Sequence, residues 1–262
     1  MELVQRDLRE GILRLTLNNP ASRNSLSSTM MGALAGGLAE AANDPEIRVI
    51  VIAAIGSAFS SGHDLKEITS HRRDSDGGRA FFTRLMEQCA SLMRSVVDHD
   101  RPVIAEVQGI ASAAGCQLVS SCDLAVASET ASFCTPGVNI GLFCSTPMVA
   151  LSRNVARKHA LGMLLTGDVI AADEALRIGL VNRVVPPNRL SEEADELARQ
   201  VASKSAAIVK LGKHAFYHQL DMPIAQAYAY ASDVMIENLM LADAEEGIGA
   251  FLDKRQPNWQ DR

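Results

Sequence analysis

Two short apolar runs limit what this chain can fold into. Residues 48–54, "RVIVIAA", and 102–109, "PVIAEVQG", are almost continuously apolar. Runs of that length read as strands buried on both faces of a parallel sheet. Each is followed at once by small residues and then by a helix-like segment: "GSAFSSGHDLKEI" after the first, "IASAAGCQL" after the second. Strand, small-residue loop and helix in that order point to an α/β layering. "LAVAS", 124–128, supplies a third buried strand. "GILRLTLNNP" sets Ile12, Leu13, Leu15 and Leu17 around Arg14 and Thr16, the near-alternation of a strand stopped by Asn18-Asn19-Pro20.

Residues 25–44 read as a helix capped by Ser27 or Ser28. The break "DSDGG" at 74–78 precedes Phe82, Leu85, Met86, Cys89, Leu92, Met93 and Val96 at helical spacing. Strand and helix alternate to about Val185, and beyond Pro186-Pro187 the chain is helix-prone without a convincing strand. The expected organisation is an α/β core over 1–187 and a helical region over 188–262. With 262 residues, 47% of them hydrophobic, the chain can bury a full core.

The net charge of -6 argues against a nucleic-acid partner, since phosphate binding needs a basic surface. "MELVQRDLREGIL" lacks a basic start followed by a long apolar run, so no signal peptide is expected. No apolar run reaches the roughly eighteen residues of a membrane helix. The expectation is a cytoplasmic protein with no membrane partner. Five cysteines without CxxC spacing fit neither a disulfide framework nor zinc, and six histidines form no ligand pattern, so no metal is expected.

The two small-residue loops carry the chemistry. Small residues let a ligand approach the backbone, and a helix N-terminus offers free N–H groups and the positive end of its dipole. Two N–H groups aimed at one point form an oxyanion hole, able to hold a thioester enolate or a tetrahedral oxyanion. Tight helix–strand packing selects small residues too, so the loops alone do not decide.

Taken together, "LNNPASRNSLS", "GSAFSSGHDLKE", "VIAEVQGIASAAGCQLVSSCDLAVAS", "SFCTPGVNIGL", "LLTGDVIAADEALRIGLVNRVV" and "EGIGAFLDKRQPNW" occur in the order and spacing of one family. Over nearly its full length the chain resembles the crotonase, or enoyl-CoA hydratase/isomerase, superfamily. The resemblance implies a spiral of ββα units, a helical trimerisation region, and a homotrimer or dimer of trimers. It also implies an acyl-CoA ligand whose thioester oxygen is held by two backbone N–H groups, with coenzyme A as part of the substrate and no prosthetic group. Carried across by motif, the donors are the N–H groups of His63 and Ala114; the family usually has glycine at the second place.

The departures from the family pattern bear on the reaction. One catalytic glutamate of the family's hydratases follows the cysteine of a "GGGCE"-like motif, where this chain has Gln117. The second sits in a "PE" pair, where this chain has Pro136-Gly137. General acid–base catalysis is worth about 10²–10⁴-fold, so water addition by the usual route is expected to fail. Gln117 can still hydrogen-bond a water or a substrate group. His63 has an imidazole where the family usually has a small residue, although its expected orientation is toward solvent, with only the N–H at work. Asn139, Cys144 and Ser145 lie in a loop expected to form the pocket wall; Cys144-Ser145 is a nucleophile if a base stands nearby and otherwise a packed pair.

For the coenzyme, the resemblance implies Asp64, Leu65 and Lys66 near the first loop, Arg23 beside the adenine, and Phe251 with Lys254 on the C-terminal helix, in some relatives supplied by a neighbouring subunit. Asp64 and Asp123 are also expected to cap or brace, and Glu106 to form a salt bridge. The functional expectation is an acyl-CoA enzyme that uses the oxyanion hole in a reaction other than efficient hydration, such as isomerisation, hydrolysis or decarboxylation. The alternative is a non-catalytic acyl-CoA-binding or partner-binding protein. A basic stripe for RNA is missing.

Overall fold

The computed structural model describes residues 2–262. An antiparallel pair, β1 (Val4–Arg9) and β2 (Ile12–Leu17), opens the chain and leads to helix α1 (Ser28–Ala42). The Ser27 hydroxyl caps α1 by accepting the Met30 N–H. A strand, short strand, helix unit then recurs three times. The first is β3 (Val49–Ala54), β4 (Ala58–Ser60) and α2 (Leu65–His71), with the long α3 (Arg79–Val97) after it. The second is β5 (Val103–Val107), β6 (Ile110–Ser112) and α4 (Ala114–Ser121). The third is β7 (Leu124–Ser128) and β8 (Ser132–Cys134), then a 3-10 turn over Pro136–Ile140, α5 (Pro147–Asn154) and α6 (Arg157–Thr166).

The first strand of each unit joins a six-stranded sheet, β1-β2-β3-β5-β7-β10, and the second joins a four-stranded sheet, β4-β6-β8-β9. Chain passing repeatedly between the two sheets makes the spiral. It closes with β9 (Ile170–Ala171), α7 (Ala172–Arg177) and β10 (Arg183–Val185). Helices α8 (Leu190–Ala202), α9 (Ala206–Gln219), α10 (Ile224–Leu239) and α11 (Ala242–Leu252) complete the chain.

The continuous apolar runs have a direct cause. Successive residues of a strand face opposite sides of the sheet. On β3, Ile50 and Ile52 join the main core with Met30, Leu34 and Leu92, whereas Val49 and Val51 join a second core with Leu190, Ala194 and Leu197 of α8. On β5, Val103, Ala105 and Val107 face the first core and Ile104 the second. Helix α8 lies beyond the expected division at residue 187, yet it is the outer layer of the sheet.

The helices after α8 are tied down by a buried polar joint. Lys213 of α9 donates to the Asp123 carboxylate at 2.7 Å and to the Val96 and Arg101 carbonyls at 3.2 Å, and the Tyr217 hydroxyl donates to Asp123 at 2.8 Å. Burial and the adjacent Asp123 push the Tyr217 phenol well above its ordinary value. Glu106 pairs with Arg14, which also reaches Asp195 of α8 at 2.6 Å. Both acids therefore brace the fold.

Candidate active site

Two loops meet at one point. Gly62 has φ +85°, and a Cβ on it would lie 2.9 Å from the Ser112 carbonyl oxygen and 3.2 Å from the Ala114 nitrogen. Only glycine allows the loop after β4 to sit this close to the start of α4. The Gly62 carbonyl accepts the Leu26 N–H at 2.8 Å, pinning this loop to the segment before α1. On the other side Ala113 sits at φ 49°, ψ -114°, a strained conformation for a non-glycine residue. Ala114 follows as the first residue of α4. Among the described residues, neither the His63 nor the Ala114 N–H donates to a protein acceptor.

A cavity of about 550 Å³ opens at this point. Leu65 and Ile68 of α2, Phe82 and Met86 of α3, and the loop side chains Ile140 and Phe143 make most of its wall apolar. A groove of about 530 Å³ shares Ser61, His63 and Leu65 with it and is lined further along by Arg23, Ser25, Asp64 and Lys66. A long ligand can therefore lie with an apolar part in the cavity and an anionic part between the exposed Arg23 and Lys66.

The His63 side chain departs from expectation. It faces inward, lines both spaces, and leaves its Nε2 atom buried with no hydrogen-bond partner. Burial lowers its pKa, with Glu67 opposing, so the ring is neutral near pH 7.

Gln117 also departs. One helical turn beyond Ala114, it is buried against α3, where its Oε1 accepts from the Cys89 thiol at 3.9 Å, and it is not among the residues lining the cavity. Gly137 does line the wall, but a Cβ there would meet the Cys144 sulfur at 2.9 Å and the Leu142 carbonyl oxygen at 3.0 Å. The Cys144 thiol fills the place of a side chain. Burial pushes its pKa up, with a hydrogen bond to the Gly137 backbone opposing, so the thiol stays protonated. Exposed Ser145 donates only to the Phe143 carbonyl, at 3.3 Å, and no histidine or carboxylate among the described residues bonds to either group. The pair therefore lacks the base a nucleophile needs. Asn139 lines the cavity from the exposed side.

Asp64 caps α2, accepting the Lys66 N–H at 2.8 Å, the Glu67 N–H at 3.2 Å and the Ser25 hydroxyl at 3.1 Å. Burial raises its pKa, but these bonds lower it further, and the net shift is downward. Phe251, 82% exposed at the end of α11, and Lys254 line neither space, so one chain does not bring them to the site. Helical spacing assigns Phe82 and Met86 to a core-facing stripe; they sit at its edge, where the stripe becomes cavity wall. Arg72 also lines the cavity, and its place in a charged stretch of sequence gives no signal of this.

Residues 7–262 match the family described as enoyl-CoA hydratase/isomerase. Among similar proteins, the rat enoyl-CoA hydratase domain-containing protein 3, mitochondrial, is 50% identical over 95% of this chain and 82% of its own length. The crystal structure of human enoyl-CoA hydratase domain-containing protein 3 is 48% identical, with TM-score 0.93, covering 98% of this chain and all of that one. That of enoyl-CoA hydratase from Mycobacterium smegmatis is 46% identical, with TM-score 0.93, covering 98% of both chains. The relatives' mitochondrial names overturn the cytoplasmic location expected from the sequence.

Proposed function

Because the chain belongs to the enoyl-CoA hydratase/isomerase family, we propose that it binds an acyl-CoA thioester and holds the thioester oxygen between the N–H groups of His63 and Ala114. The observation that carries this reading is the pair of unpaired N–H groups on touching loops at the head of an apolar cavity. Donors fixed before the reaction stabilise an enolate or oxyanion without reorganising. Arg23 and Lys66 take the phosphates of the coenzyme, with Asp64 and Leu65 shaping the passage between groove and cavity.

The reaction is not hydration by a glutamate pair, since neither Gln117 nor Gly137 supplies a carboxylate to the cavity. Isomerisation, hydrolysis or decarboxylation, each passing through charge on the thioester oxygen, fits the two donors. The neutral His63 ring is the one acid/base candidate on the wall, and Asn139 and Ser145 offer hydrogen bonds. The protonated Cys144 and the lack of any wall carboxylate favour a second reading, a protein that binds acyl-CoA without turning it over.

The test replaces Ala114 by proline, which removes the N–H at the first position of α4. Acetoacetyl-CoA, an enolisable thioester, is titrated into parent and variant, with circular dichroism confirming the fold. Losing one such donor is expected to weaken binding of the enolate form by about 10²-fold. Equal binding by a folded variant rejects the assignment.

A further inference from the structure

The cavity wall carries one permanently charged side chain, Arg72, at the end of α2. Its guanidinium carbon lies 5.8 Å from the centroid of the Phe82 ring. Phe82 lines the same cavity, and its ring edge lies 2.7 Å from where a side chain at Gly78 would begin. The close packing at Gly78 fixes the ring, and the ring holds the cation at the cavity.

Arg72 has no counter-ion among the described residues. The nearest acids in sequence are engaged elsewhere: Asp74 pairs with His71 at 2.8 Å, and Asp76 accepts the Gly78 and Ala80 N–H groups at 2.9 and 2.8 Å. No carboxylate lines the cavity either, since Gln117 is packed behind the wall and Gly137 has no side chain. The site therefore has an unpaired cation facing a largely apolar space with nothing negative in it.

On the reading that this cavity takes the acyl part of a CoA thioester, we infer that the preferred acyl group carries a second, free carboxylate that Arg72 binds. The substrate class is then the monothioester of a dicarboxylic acid. A guanidinium presents parallel donors that match a carboxylate. The missing glutamate at 137 fits the same account, since a carboxylate on that wall position would repel an anionic acyl group.

The test measures dissociation constants by calorimetry for matched pairs of thioesters with the whole protein: succinyl- against butyryl-CoA, glutaryl- against pentanoyl-CoA, and adipyl- against hexanoyl-CoA. At one length or more, the dicarboxylic member is expected to bind about twofold to fivefold tighter. Added salt should narrow that gap. Arg72→Gln, at an exposed position, should abolish the preference, and Arg72→Lys should keep a reduced one. Equal binding within every pair overturns the inference while leaving the acyl-CoA reading in place. Equal weakening of both members by Arg72→Gln also overturns it, because the arginine then serves the coenzyme phosphates. Binding of no thioester at all removes the proposed function and this inference together.

Discussion

At the scale of single residues, the site is defined as much by what fills the usual acid/base positions as by the donors. Crotonyl-CoA hydration is expected to be slower, by about 10² or more, than in a family member that has both glutamates. Loss of the enoyl-thioester absorbance measures it, and a rate matching such a relative would refute the expectation. Writing the glutamates back does not by itself rebuild their geometry. A side chain at Gly137 runs into the Cys144 sulfur at 2.9 Å, so Gly137→Glu is expected to cost about 1–3 kcal/mol of stability, read from the denaturant midpoint. Gln117→Glu buries a carboxyl beside the Cys89 thiol and raises its pKa. Gln117→Glu with Gly137→Glu is therefore expected to gain little, and adding Cys144→Ala, which removes the sulfur but leaves the Leu142 carbonyl at 3.0 Å, should raise hydration above the double variant. If the double variant already hydrates as fast as the triple, Cys144 is not the obstacle. The identities at 117 and 137 are legible in the motif. The inward turn of His63 and the position of Arg72 are not, because each depends on packing between segments far apart in sequence.

At the scale of elements, buried histidines couple the helices to pH. His99 lies just after α3; its Nδ1 accepts the Arg101 N–H at 2.9 Å and its Nε2 lies 3.1 Å from the Leu38 carbonyl of α1, so the ring is bound in its neutral form. Burial lowers its pKa, the Leu38 carbonyl opposes, and Lys213 lowers it further with Asp100 opposing. His63 is lowered too. The unfolded chain takes up these protons near the ordinary pKa of about 6.5, and the folded chain only at lower pH. Between those values the unfolded state binds more protons, so stability falls as pH drops through about 6.5 and is complete above it. Carboxylates held below their ordinary values, such as Glu246 at about 2 beside Arg255, act in a lower window. Melting temperature should therefore drop between pH 7.5 and 5.5, and His99→Gln should flatten that slope by about half; an unchanged slope in the variant would assign the effect elsewhere. Elements long enough to have a period, such as β3, α1 and α3, are legible in the sequence. Strand β1 is not, because Val4 alone of its six residues is buried and no alternation results. Neither are β4, β6, β8 and β9, whose two or three residues are too few to show a period and whose partners lie in other units of the spiral. These four short strands nevertheless form the second sheet, from which both donor loops leave.

At the scale of the whole molecule, the C-terminal helices leave many large apolar side chains uncovered. Neither α9 nor α10 contains a buried residue, and Phe251, Met240, Ile224 and Tyr228 are 82%, 81%, 76% and 72% exposed. Composition alone marks the helical region but puts its start at 188, because α8 is as helix-prone as the helices after it. Only packing against Val49, Val51 and Ile104 assigns α8 to the core. Helices α9 to α11 are fastened by the Lys213–Asp123 joint, by Lys210 and His214 pairing with Asp100, and by the terminal tail, where Trp259 donates to the Ser203 carbonyl at 2.9 Å and Asp261 pairs with Arg48. Apolar helices held rigidly in water are surface prepared for a partner, and large uncovered patches of this kind mark association. A homotrimer or a dimer of trimers is expected, with Phe251 and Lys254, remote from the site of their own chain, completing the coenzyme groove of a neighbour. Sedimentation at micromolar concentration should give three or six times the chain mass. Ile224→Asp with Met240→Asp places charge in the interface and should yield a folded monomer that binds acyl-CoA more weakly than the trimer, although neither residue lines the groove. A parent that sediments as a monomer rejects the assembly, and a monomeric variant with unchanged affinity rejects the role of Phe251 and Lys254.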